Sequence, residues 1–254
     1  RRQRQMCIRD RRNRGWELSV NWSDQLKNGF SYGIGFNIFD YKAVVTKYNN
    51  PEGLIYNNHT GLVRNKGYYQ GMDLGEIWGY EANDLFLTNQ EVDEYLRGVD
   101  MSFFKPNKDW QRGDLKYIDS NGDGKIDPGS GTLKDHGDLK IIGNTTPRYS
   151  FGLNLHAGYK GFEVSALFQG VMKRDFPMAA STYLFSGDSN FFKEHLDYYN
   201  VYNPGAYLPR LTKPDSPEYN ANVGYNTSRY LLNAAYMRLK NLMISYNFQP
   251  KLVK

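Results

Sequence analysis

The chain is almost without cysteine. Its one thiol, Cys7, lies in the first fourteen of 254 residues. Disulfides, thiolate zinc sites and cysteine nucleophiles therefore have no basis in the remainder. Histidine is scarce as well: His59, His136, His156 and His195 are the four present, and they show no ligand-like spacing. No run approaches the ~18 consecutive apolar residues of a spanning helix, which excludes a helical membrane protein. It does not exclude a transmembrane β-barrel, because barrel strands alternate lipid-facing and lumen-facing side chains. A mean hydropathy of −0.69 is compatible with that.

Charge is nearly balanced outside one end. The formal net charge is +5, yet residues 1–14, "RRQRQMCIRDRRNR", hold seven Arg and one Asp, so the other 240 residues sum to −1. A nucleic-acid partner would rest wholly on that arm, and none is expected. Residues 1–13 read either as the translation of a sequencing adaptor, and so as non-native, or as a disordered basic arm. Both readings set them apart from the fold, which is assigned to residues 14–254.

Aromatic residues are abundant, at 15% with 21 Tyr, and period-2 alternation dominates the pattern. "GWELSVNWS" places Trp16, Leu18, Val20 and Trp22 opposite Glu17, Ser19, Asn21 and Ser23. "FSYGIGFNIFD" places Phe30, Tyr32, Ile34, Phe36 and Ile38 opposite Ser31, Gly33, Gly35 and Asn37. Asn28-Gly29 between them is a hairpin signal. In "RYSFGLNLHAGYKGFEVSALFQG", Tyr149, Phe151, Leu153, Leu155, Ala157 and Tyr159 oppose Ser150, Gly152, Asn154, His156 and Gly158. A tight turn at Lys160-Gly161 follows. Phe162, Val164, Ala166 and Phe168 then oppose Glu163, Ser165 and Gln169, with Leu167 as the exception. In "AAYMRLKNLMISYNF", Met237 and Leu239 share one phase and Leu242, Ile244, Tyr246 and Phe248 the other, and a β-bulge near Lys240-Asn241 would reconcile them.

Five strands result, with lopsided connections. Two are tight turns, whereas the others span about residues 48–146 and 174–229, far beyond ordinary loop lengths. With each strand reversing direction, both long connections leave one rim and both short ones the other, as in transmembrane β-barrels. A soluble sandwich or barrel also alternates, but its wet face usually carries more Lys, Glu and Thr than the Gly, Ser and Asn found here. Aromatics near the strand ends suit interfacial girdles.

Four runs together resemble the SusC/RagA-type TonB-linked outer-membrane transporters of Bacteroidota: "KGYYQGMDLGEIWGYEANDLF", "GDLKYIDSNGDGKID", "DLKIIGNTTPRYSFGLNLHAGYKGFEVSALFQGVMKRDF" and "SRYLLNAAYMRLKNLMISYNF". The resemblance covers roughly residues 14–254. It implies an all-β fold: about five strands of a ~22-stranded antiparallel transmembrane β-barrel, with two long extracellular loops. It also implies a plug domain, the TonB complex as energy source, and a SusD-like lipoprotein lid that captures glycans, oligosaccharides or peptides. The chain departs from the family in showing no plug and no TonB box, and it is expected to be a fragment of such an importer, embedded in outer-membrane lipid. No enzyme activity is expected.

Within the first long connection, "YIDSNGDGKIDPG" resembles half of a calcium loop. Asp119, Asn121, Asp123 and Asp127 with the Lys125 carbonyl would supply about five oxygens, and Asp135, Asp138 or water would complete the shell of 6 to 8. Ser130 stands where the closing bidentate Glu of an EF-hand belongs, so an Asx-rich turn explains the same residues. Glycine-rich "GSGTLKD" lacks the strand–helix setting of a phosphate cradle. Asp135 with Asp138 could pass for paired carboxylates, although loop solvation accounts for them better. The aromatics of "GYYQG", "EIWGYE" and "FFKEHLDYYNVYNPGAY" suit sugar stacking, a grip on the lid, or packing of the loops together. A secreted calcium-dependent carbohydrate-binding or glycan-hydrolysing β domain is the rival reading. It explains the metal loop and the aromatics but not two enormous connections on one rim.

Overall fold

The structure is a computed structural model, and it describes residues 10–55, 68–178, 192–213 and 216–248. In chain order its strands and its helix of more than one turn are β1 (Asp10–Gln25), β2 (Ser31–Lys47), β3 (Glu76–Gly79), β4 (Ala82–Leu85), α1 (Asn89–Leu96), β5 (Leu115–Tyr117), β6 (Lys140–Asn144), β7 (Arg148–Tyr159), β8 (Phe162–Lys173), β9 (Asp175–Pro177), β10 (Leu231–Asn233) and β11 (Tyr236–Tyr246). No described helix is long and apolar enough to cross a membrane. The chain divides into two compact units: the long strands, and the two long connections.

The strand unit is one five-stranded sheet in the order β1-β2-β7-β8-β11, which bears out the five strands read from the sequence. β1 begins at Asp10, so residues 10–13 continue that strand, while residues 1–9 lie outside the described residues. The turns follow from local chemistry. The Asn28 side chain accepts the Phe30 amide at 3.0 Å, and Gly29 takes φ +85°. At the other turn Lys160 and Gly161 adopt φ +50° and +88°; two successive left-handed residues give the twist that matches a two-residue hairpin.

Register decides what the sheet presents. Phe36 lies opposite Leu153, Leu153 opposite Phe168, and Phe168 opposite Leu239. The next apolar row joins Ile34, Leu155, Ala166 and Leu242, and the one beyond it Tyr32, Ala157, Val164 and Ile244. Between them run rows of other character: Gly35, Asn154, Leu167 and Asn241, then Gly33, His156, Ser165 and Met243. Successive residues of a strand face opposite sides, so one face is apolar across four strands and the other is rich in Gly, Ser and Asn. Leu167 stands in a polar row, as its phase in the sequence indicates. β11 keeps to the pattern because its register shifts between Leu239 and Asn241. Lys240 is the extra residue of a bulge, as expected, and without it Met237 and Leu239 would fall on the opposite face from Leu242 and Ile244.

Glycine on the polar face makes room for larger neighbours. A Cβ on Gly33 would lie 2.0 Å from His156 Cε1, so the imidazole occupies the space that a side chain on β2 would need.

The second unit gives the long connections an interior of their own. β4 pairs with β5 and β3 with β6, both antiparallel. Around them Tyr80, Phe86, Met101, Leu115, Tyr117, Ile126 and Leu139 are buried, joined by Tyr199, Leu208, Val223 and Tyr230 from the second connection. The Phe104 and Tyr117 rings stack with centroids 4.2 Å apart, and Tyr80 meets Phe104 edge-on at 5.1 Å. Tyr225, from the second connection, packs edge-on against Phe104 at 4.9 Å. Offset and edge-on pairs of this kind add to the area that aromatic rings bury.

Candidate functional site

Two regions hold the residues singled out in the sequence: the polar face of the sheet and the loop unit with its aspartate turn.

In the aspartate turn the side chains bond to the turn itself. Asp119 accepts from the amides of Gly122 at 2.6 Å and Gly124 at 2.8 Å. Asn121 accepts from Asp123 at 3.0 Å, Asp123 from Lys125 at 2.8 Å, and Asp127 from Gly129 at 2.7 Å. These are Asx turns, the reading that needs no metal. Among the described residues no three His, Cys, Asp or Glu side chains are placed to share a metal ion. A carboxylate has about four lone-pair sites, so each oxygen of Asp119 retains acceptor capacity after its amide bond. Asp138 is buried beneath the turn and accepts the amides of Ser120 at 2.7 Å and Asp127 at 3.0 Å. Burial raises its carboxyl above the ordinary value, against the lowering by those two amides. Asp135 instead takes the Ser130 amide at 2.9 Å. Asp135 and Asp138 thus serve separate backbone segments, and nothing in this geometry makes them an acid–base pair.

The loop aromatics divide. Tyr69, Tyr80 and Tyr199 are buried, and Trp78 and Tyr198 pack against the core. Packing is therefore the role of these five of the rings flagged in the sequence. Tyr202 differs, being 95% exposed on a turn in which its amide donates to Asn200 Oδ1 at 2.9 Å. His59 lies outside the described residues, as does part of each long connection (56–67, 179–191 and 214–215). His136 packs near Trp78 at 5.7 Å between centroids, and His195 is buried with its Nδ1 accepting the Phe192 amide at 3.2 Å.

Sequence reasoning missed two ion-pair clusters. Arg148 donates to Asp40 through Nε and a terminal nitrogen, each at 2.5 Å, across 108 positions of sequence. Beside it Tyr149 sits at φ +53°, a region costly for a residue with a side chain. In the loop unit Asp114 is fully buried and receives Lys105 Nζ and Arg210 Nε, each at 2.6 Å. Burial pulls the Lys105 ammonium below its ordinary value, opposed by the Asp114 charge. The only local signal for Asp114 is an acid between Gly113 and Leu115; Arg210 stands 96 positions away, beyond the reach of pattern reading.

No protein-family model matches the chain. The "TonB-dependent receptor P3" of Formosa agariphila is 26% identical over 240 residues, covering 92% of this chain and 21% of the receptor. The "TonB-dependent receptor P39" of the same organism is 28% identical over 275 residues, covering 94% of this chain and 24% of the receptor. The chain thus spans about a fifth to a quarter of the relatives it matches. In fold it is similar to the RagAB peptide importer in the open-open state (TM-score 0.61, 16% identity, 97% of this chain and 23% of the other). It is similar also to the closed-closed state (TM-score 0.58, 16% identity, 96% and 24%). These findings bear out the resemblance to SusC/RagA-type TonB-dependent transporters, and the five-stranded sheet is an arc of a RagA-like antiparallel β-barrel.

Proposed function

We propose that the chain supplies five strands and two long outer segments to the barrel of a TonB-dependent outer-membrane importer that works with a SusD-like lipoprotein. The observation that carries this reading is the register. Four strands align their Leu, Phe, Ile and Val residues in shared rows on one side, and Gly, Ser, Asn and His on the other. A soluble sheet buries its apolar face, whereas here Leu18, Trp22, Leu242 and Ile244 are each at least 51% exposed. Hydrocarbon is the solvent that such a face fits, because the ladders joining β2, β7, β8 and β11 pair their facing backbone groups within the sheet. The small polar rows then line the lumen against a plug.

The cargo proposed is a glycan, oligosaccharide or peptide, captured outside the cell by the lipoprotein and passed down the lumen. Energy comes from the TonB complex, acting on parts of such a receptor outside this chain. No bond is made or broken, so the reading contains no catalytic residue. The two long segments face the exterior.

The test is made on the intact reading frame that carries this sequence, affinity-tagged and expressed in a Bacteroidota host. Recovery in outer membranes, co-purification of a surface lipoprotein, and TonB-dependent uptake of labelled oligosaccharides or peptides are expected. A protein that stays soluble without detergent and hydrolyses or binds glycans alone would favour the secreted β-domain reading instead.

A further inference from the structure

The two long connections are far apart in sequence, yet one buried carboxylate ties them together. Asp114, in the first, accepts Lys105 Nζ at 2.6 Å and the Gln111 amide at 3.0 Å from its own segment. From the second segment it accepts Arg210 Nε at 2.6 Å and Asn222 Nδ2 at 2.8 Å. The backbone around it is stitched in the same way. The Arg210 amide donates to the Gly113 carbonyl at 2.8 Å, and the Leu115 amide to Asn222 Oδ1 at 2.7 Å. The Tyr117 hydroxyl donates to the Ala221 carbonyl at 2.6 Å.

Charge makes this node asymmetric. One carboxylate faces two cations, and the Lys105 ammonium, with no exposed side-chain surface, has Asp114 and the Trp110 ring at 4.3 Å as its partners. Loss of the carboxylate would leave that ammonium buried without an anion, the costly way to break a buried pair. Separation of the two segments acts from the other side: Arg210 and Asn222 would withdraw from Asp114 together, leaving the buried carboxylate with Lys105 and the Gln111 amide alone.

We infer that the two connections form a single cooperative body locked at Asp114, which comes apart as one unit. This goes beyond the importer proposal and does not rest on it: the lock would hold in any protein with these contacts. It defines a conformational device, since anything that displaces the first segment must carry the second or break the node.

Hydrogen exchange on the full chain in detergent micelles tests it. In the unaltered chain the amides of Phe86 in the first segment and of Tyr199 and Leu208 in the second, which donate to Asp114, Leu208 and Asp197 carbonyls, should share one level of protection. Asp114→Asn should lower all three by about a hundredfold or more, and by similar factors. Amides shared by β7 and β8 should be unchanged. Asn222→Ala, a milder change made in the second segment alone, should lower Phe86 in step with Tyr199. Loss confined to the mutated segment would overturn the lock, and loss spreading equally into β7 and β8 would overturn it too, as general destabilisation of the chain.

Discussion

The two faces of β8 offer a controlled test, because neighbouring small residues look in opposite directions. Ala166 lies in the apolar row with Leu155 and Leu242, and Ser165 in the row with His156 and Met243. β8 runs twelve residues from Phe162 to Lys173. At ~3.3 Å per residue, with barrel strands tilted ~40°, Ala166 falls about 10 Å in depth from the Phe162 end of an apolar band ~25 Å tall. That is close to the midplane, where a lipid-facing Arg costs about 2–4 kcal/mol. Ala166→Arg should therefore lower the equilibrium for the inserted, folded state by roughly thirtyfold to several hundredfold at ~1.4 kcal/mol per decade. Ser165→Arg, one residue away and of similar size change, should cost about 1 kcal/mol or less, because its guanidinium would lie in the aqueous lumen. The intact receptor can be assayed by reversible urea unfolding in lipid vesicles, with heat-modifiable gel mobility as a second readout. Equal costs, or a larger cost at Ser165, would refute the assignment of the two faces.

Other expectations follow from individual sites. Phe104→Ala removes a ring that stacks on Tyr117 and contacts Tyr80 and Tyr225; a loss of about 3–5 kcal/mol should appear as a lower midpoint for loop-unit unfolding by tyrosine fluorescence. Glu91 accepts Lys116 Nζ at 2.7 Å and the Leu87 amide at 2.9 Å, and the Lys116 bond is the main cause holding its carboxyl below the ordinary 4.5. Its contribution is therefore present above pH 4.5 and lost as pH falls through the depressed folded value. Glu91→Gln should cost ~0.5 kcal/mol at neutral pH for this partly exposed pair, and denaturation curves of the two forms should converge in acid. Calcium at the Asp119 turn predicts that millimolar Ca2+ slows proteolysis of the 48–146 connection in the native chain and not in an Asp119→Ala/Asp123→Ala variant. Cleavage unaffected by Ca2+ in the native chain retires the metal.

The strand unit was legible because its information is local. Alternation over eight residues fixes a face, Asn28-Gly29 and Lys160-Gly161 fix the turns, and the phase slip between Leu239 and Leu242 reveals the bulge at Lys240. Membership of one sheet followed from strand reversal alone. The loop unit was opaque for the opposite reason. Its ordering contacts join residues about a hundred positions apart, such as Tyr117 with Ala221 and Asp114 with Asn222, and neither partner shows a periodic pattern around it. Loop aromatics were visible as a class but not as to use. Tyr80 and Tyr202 look alike in the sequence, yet one is fully buried and the other 95% exposed.

On the importer proposal the two units face different solvents, and that sets how each should fail. The loop unit has an interior of its own: Tyr80, Tyr117, Met101 and Leu115 have no exposed surface, so these side chains meet neither water nor lipid. On the sheet Leu18, Trp22, Leu242 and Ile244 are exposed, and at ~25 cal/mol per Å2 such side chains are a substantial penalty in water. On that proposal lipid, or detergent in its place, covers them. When detergent is diluted below its micellar concentration, the sheet should therefore aggregate through those side chains while loop-unit amides keep their protection. The reverse order, with the loop unit melting first and the sheet persisting in water, would mean that another part of the polypeptide covers the apolar face, and that it meets no hydrocarbon.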